Sequence, residues 1–167
     1  PRRAINVMIG PPADPKDDAR VLKLFFAKEG SHICCGGSTA HMISRYLNKP
    51  IIPVEDSGTD KVPAIATIEG MDLVTEGIIT LQQVADLAEQ YVSDNRLSIT
   101  INSGNDGVSL LCAYLFEQAT DINFFFGKAE NTANDDLDIG MDAKAIVINR
   151  LISRLREMGK NVKISRC

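Results

Sequence analysis

The apolar positions switch repeatedly between strand-like runs and helical stripes. Ala4-Ile5-Asn6-Val7-Met8-Ile9 is a short, mostly apolar run stopped by Gly10-Pro11-Pro12, which predicts a buried strand. A polar loop with Asp14, Asp17 and Asp18 follows. Val21, Leu22, Phe25 and Phe26 then fall at helical spacing and Gly30 closes the run, which predicts a helix. Ser31-His32-Ile33-Cys34-Cys35 reads as a second strand and Gly36-Gly37 as a turn. The next helix is expected to be capped by Ser38 or Thr39, with Met42, Ile43, Tyr46 and Leu47 on one face.

Asn48 to Pro63 carries three prolines and several acids, and reads as a loop or an edge element. Asp72-Leu73-Val74 predicts a strand ending at Thr75-Glu76-Gly77. Thr80-Leu81-Gln82-Gln83 has the form of a capping box ahead of Leu81, Val84, Leu87, Ala88 and Tyr91. Asn102 to Gly107 predicts a turn, and Val108, Leu111, Cys112, Leu115 and Ala119 a helix. Asp121 to Phe126 predicts a strand closed by Gly127. Val147, Ile148, Leu151, Ile152, Leu155 and Met158 form the last helical stripe, followed by Gly159 and a closing strand at Val162-Lys163-Ile164. Apolar strands alternating with amphipathic helices predict one doubly wound α/β domain over residues 1–167. Its sheet is mostly parallel with helices on both faces, a Rossmann-like three-layer arrangement.

Length agrees with one domain, since 167 residues sit in the usual range of about 100–200. No apolar run approaches the roughly 18–20 residues of a membrane span, and 44% apolar with 24% charged residues excludes a disordered chain. A net charge of −4 gives no basic field for nucleic acid. The four cysteines, two of them adjacent, suggest no disulfide framework and favour a reducing cytoplasm. The start at Pro1-Arg2-Arg3-Ala4, with no Met and no secretory signal, leads us to expect a piece of a longer protein.

In open parallel sheets ligands bind beyond the carboxyl ends of the strands, where loops converge and helix N-termini present free N–H groups. Gly10 to Asp18, Gly36 to Thr39, Thr75 to Thr80 and Gly127 to Asp136 are therefore expected on one rim. The sharpest is Cys35-Gly36-Gly37-Ser38-Thr39: two glycines admit a ligand to the backbone, and two hydroxyls with a helix N-terminus suit phosphate or carboxylate. The plainer reading is a glycine turn followed by an N-cap. Thr75, Glu76 and Gly77 add a carboxylate as base or acceptor, or else a solvated turn. His41 reads as a base or a packed histidine. Cys35 reads as a stabilised thiolate or, more simply, a small apolar strand residue. The expected ligand site thus comprises Gly10, Gly36, Gly37, Ser38, Thr39, Thr75, Glu76 and Gly77.

A serine hydrolase is excluded because no histidine follows His41, and no phosphate-loop, dinucleotide or zinc motif occurs. Asp135, Asp136, Asp138 and Asp142 lack the calcium-loop pattern and read as a solvated loop. Lys144 to Cys167 holds seven basic residues against the single acid Glu157, a face for an acidic partner or for solvent.

Several of these blocks together resemble a known family: Gly10-Pro11-Pro12 with the acids after it, Glu29-Gly30, Cys35-Gly36-Gly37-Ser38-Thr39-Ala40, Ile68 to Gly77, and Thr120 to Gly127. They are similar to the C-terminal region of bacterial proteins related to stage II sporulation protein E, whose N-terminal domain is a metal-dependent Ser/Thr protein phosphatase. The resemblance is weakest at 48–63 and 96–105. It implies an accessory domain of a hydrolase and transfers no catalytic residue, since nothing here matches the metal-holding aspartates. Mn or Mg is expected only in that phosphatase domain, and no cofactor or metal in this chain. The implied function is a non-catalytic regulatory or ligand-binding domain. Expected partners are the attached or neighbouring phosphatase domain, a small anionic ligand and a second copy in a homodimer, with neither nucleic acid nor membrane. The alternative is a small self-contained enzyme acting on a phosphorylated or carboxylated metabolite.

Overall fold

The computed structural model describes residues 1–62, 64–94, 104, 106–129 and 141–167. Along the chain come β1 (Ala4–Ile9), a 3-10 turn (Pro15–Asp17), α1 (Asp18–Ala27), β2 (Ser31–Cys35) and α2 (Gly37–Leu47). β3 (Ile52–Pro53), β4 (Ala66–Thr67), β5 (Leu73–Thr75) and α3 (Ile78–Asp94) follow. The last are α4 (Gly107–Cys112), continued by a π-helical stretch (Ala113–Gln118), then β6 (Asp121–Phe126), α5 (Met141–Glu157) and β7 (Asn161–Arg166).

The strands form one sheet in the order β3-β4-β5-β2-β1-β6-β7. The five strands from β5 to β7 are parallel, and near one edge β4 runs antiparallel to both its neighbours, β5 and β3. β1 lies at the centre, with Val7 opposite Ile33 on one side and Phe124 on the other. A strand covered on both faces needs apolar side chains in both directions, and the β1 composition meets that need. Ile5, Val7 and Ile9 pack with α3, α4 and α5, whereas Met8 packs with α1 and α2.

The fold is thus a three-layer α/β/α arrangement. The chain moves from β1 to β2 and β5 with α1 and α2 on one face. It then returns to β6 and β7 with α3, α4 and α5 on the other, as crossovers of a single hand require. In α1 the buried stripe is Val21, Leu22 and Phe25, and in α2 it is Ala40, Met42 and Ile43.

Beyond α2, the stretch that sequence left as loop or edge is both: β3 and β4 form a two-residue antiparallel ladder, with Ile52 opposite Thr67. Pro53 sits on the outermost strand, where its missing N–H costs the sheet nothing. Two helix starts differ from expectation. α2 has Gly36 as its N-cap with no side-chain cap, so Ser38 and Thr39 lie inside the first turn. α3 starts at Ile78, with the Leu81 N–H donating to the Gly77 carbonyl at 3.1 Å. Thr80 therefore sits inside the helix, and its buried hydroxyl has no partner among the described residues. Half of the 102–107 turn (102, 103 and 105), and the whole of 130–136, fall outside the described residues.

Candidate functional site

Two glycine turns bring the strand ends together. Gly36, with φ 116°, leaves β2 in a conformation that side-chain-bearing residues rarely adopt, and its N–H donates to the Thr75 carbonyl at 2.9 Å. That bond ties the start of α2 to the end of β5. Gly77, one residue before α3, packs against the same turn: a Cβ there would lie 3.3 Å from the Gly36 Cα. The N-termini of α2 and α3 are therefore neighbours. Neither helix has an acid in its first turn, so their positive ends are not neutralised from within.

The turn after β1 completes the rim. The Gly10 N–H, at φ 84°, donates to the Thr39 hydroxyl at 2.8 Å, and that hydroxyl donates to the Cys35 carbonyl at 3.2 Å. Thr39 is thus a strut between β1, β2 and α2, and its expected capping hydroxyl is engaged elsewhere. Gly127, after β6, packs directly on the Gly10 and Pro11 carbonyls.

Between these turns lies a cleft of about 930 Å³, within the range of small-molecule sites. Of the expected residues, Gly10, Gly36, Gly37, Ser38, Thr39, Glu76 and Gly77 line it. Thr75 does not. It is buried at the end of β5, where its hydroxyl donates to the Glu76 carbonyl at 2.8 Å, and it borders a shallow neighbouring recess of about 230 Å³. The two glycines of the turn also differ. Gly37 has no positive φ, and a Cβ on it would meet no atom within 4 Å, so the backbone demand for glycine falls on Gly36 alone.

Sequence reasoning missed Arg45, Lys144 and the role of Asp18. His41 and Arg45 lie one turn apart on α2, both exposed and both lining the cleft, and Lys144 enters from α5. The i,i+4 spacing of His41 and Arg45 was the available signal. Asp18 opens α1 at the cleft wall, where burial pushes its carboxyl above the usual range, opposed by nearby Arg45. One oxygen of Asp18 and one of Glu76 are out of solvent without a hydrogen-bond partner among the described residues. Pro11, Pro12, Pro15, Ile78 and Leu81 are the cleft's apolar lining residues, of which Pro12 and Leu81 are buried.

Cys35 is fully buried and its thiol is pushed up to about 12, mainly by desolvation, so the thiolate is disfavoured despite the adjacent helix start. Among the described residues no group of three or more His, Cys, Asp or Glu is arranged to hold a metal ion. No described helix is long and apolar enough to cross a membrane. Much of the basic C-terminal stretch is engaged within the chain. Arg150 pairs with Asp86 and Glu89 of α3, Arg154 with Glu157, and Arg156 and Lys160 donate to backbone carbonyls.

A second recess, of about 710 Å³, lies at the amino ends of the strands beside Arg2, Lys28 and Asn123. Two of its polar groups are already paired: Arg2 with Asp121, and Asn123 with the buried Asn6. Of the four buried polar atoms without a partner among the described residues, those of Asp18 and Glu76 belong to the first cleft. Compared with known proteins, the chain matches no family model, and neither a curated protein nor a solved structure is similar enough to count as a relative.

Proposed function

We propose that this chain is a non-catalytic, ligand-binding regulatory module of a stage II sporulation protein E-like Ser/Thr protein phosphatase, with an anion site at the carboxyl ends of β1, β2 and β5. The observation that carries the anion site is the start of α2. Gly36 is its N-cap, no side chain caps it, and its first-turn residues Gly37, Ser38 and Thr39 line the cleft beside the start of α3. The link to the phosphatase family rests on the sequence resemblance. It is supported by where the resembling blocks fall, since those at Gly10, Cys35 to Thr39, Thr75 to Gly77 and Gly127 all end at this rim.

A thermal-shift screen of the chain with inorganic phosphate, sulfate and citrate tests the anion site. Ligand at a hundred times its dissociation constant stabilises by about 2.7 kcal/mol, an easily read shift. Gly37→Val, which crowds no protein atom, should keep the fold and lose the shift. Absence of stabilisation of the wild type by any anion overturns the site. Appending the chain to its phosphatase domain should change that domain's turnover, and an unchanged turnover overturns the regulatory role.

One observation favours the second reading, a self-contained enzyme: the Asp18 carboxyl is raised by desolvation at the wall of this cleft, as suits a general acid. Turnover of a phosphorylated or carboxylated metabolite by the isolated chain, abolished in Asp18→Asn, would establish it.

A further inference from the structure

We propose that the ligand of this cleft is a nucleoside monophosphate, an inference that rests on the anion-site reading above. The cleft offers three chemistries side by side, and this ligand class meets all three. The first is the pair of adjacent helix starts at Gly36 and Gly77, whose free N–H groups suit a phosphate, with Arg45 and Lys144 adding positive charge at the walls.

The second is the pair of carboxylates. Asp18 and Glu76 each hold one oxygen away from water with no donor among the described residues. Buried carboxylate oxygens are ordinarily hydrogen-bonded, so two such oxygens in the walls of one cavity are places where a ligand's donors would bind. A bare phosphate brings almost none. Ribose hydroxyls supply them, and an acidic side chain beyond the strand ends is the usual partner of such a sugar.

The third is apolar: Pro11, Pro15 and Ile78 line the same cleft and give a flat base a surface to lie on while the phosphate occupies the glycine turns. Inorganic phosphate uses only the first chemistry, a sugar phosphate the first two, and a nucleoside the last two. The volume of about 930 Å³ holds all three parts of one monophosphate at once.

The test is calorimetric titration of the chain with AMP, GMP, CMP, ribose 5-phosphate, adenosine and inorganic phosphate. At least one monophosphate should bind about tenfold or more tightly than ribose 5-phosphate, phosphate or adenosine. Asp18→Asn and Glu76→Gln should lower the affinity of that monophosphate relative to inorganic phosphate by about fivefold or more, because each weakens a hydroxyl acceptor while the loss of its negative charge favours any anion in the cleft. If ribose 5-phosphate or phosphate binds as tightly as every monophosphate, the nucleotide inference is overturned and the anion site stands. If adenosine binds as tightly as AMP and phosphate does not bind, both fall. Both fall too if no probe binds.

Discussion

The backbone N–H of Gly10, at the end of β1, donates to the Thr39 hydroxyl 2.8 Å away on α2, joining two turns separated by 29 residues in sequence. The same hydroxyl donates to the Cys35 carbonyl, so one buried oxygen fixes the spacing of three elements around the cleft. Thr39→Val keeps the shape and removes both bonds. It should destabilise the fold by about 1–3 kcal/mol, the cost of leaving a buried donor unmet, while Thr39→Ser should cost less than half of that. Urea denaturation of the two variants checks it.

Gly127 and Gly37 should respond oppositely to the same change. A Cβ on Gly127 would lie on the Gly10 and Pro11 carbonyl oxygens, so Gly127→Ala must displace the turn after β1 and should cost about 1–3 kcal/mol. Gly37 opens α2 with free space around it, and Gly37→Ala should be neutral or stabilising by up to about 1 kcal/mol. Equal unfolding midpoints for the two variants would contradict this packing.

Two aspartates should give opposite pH signatures. Hydrogen bonds from Arg2, Thr120 and Asn161 hold the Asp121 carboxyl at about 2, below its unfolded value near about 3.9. Its contribution is therefore present above about pH 4 and disappears as pH falls toward 2. Asp121→Asn should lower stability at neutral pH and match the wild type near pH 2. Asp18 is raised instead, chiefly by burial. The native state then holds the proton more tightly than the unfolded chain, and stability falls as pH rises through the folded value. Asp18→Asn should stabilise the protein at neutral pH, in chemical denaturation followed across pH.

The four free cysteines should separate by accessibility. Cys34, Cys35 and Cys112 are buried and burial raises all three thiols, whereas Cys167 is only partly covered. With a disulfide reagent at pH 8, the native protein should show one fast-reacting thiol, which Cys167→Ser removes. The other three should react only at the rate of unfolding.

What could be read in the sequence was governed by local pattern. The stripe of Val21, Leu22 and Phe25 and the apolar run of Ile5 to Ile9 have periods that set their own faces, and both elements lie where the pattern puts them. The helix starts were less legible. Ser38, Thr39 and Thr80 have the right chemistry for caps, but a competing partner decides each start. The Gly36 N–H is drawn to Thr75 of a strand nearly forty residues on, and the Thr39 hydroxyl to Gly10 of the first strand. Lys144 and Asp18 reach the cleft only because α5 and α1 flank the same rim from opposite faces of the sheet, which periodicity along one helix does not encode.

The central position of β1 dictates an order of assembly. Its pairing with β2 closes a loop of a few tens of residues, but its pairing with β6 must wait for a segment 117 positions away. Chain-closure entropy favours the near partner first, so β1, β2 and β5 with α1 and α2 form the early half. Until residues 121–126 arrive, the far side of β1 is an apolar strand with bare N–H and C=O groups. During synthesis the growing chain therefore carries its stickiest edge in the middle of its future sheet, and β6 is the segment that seals it.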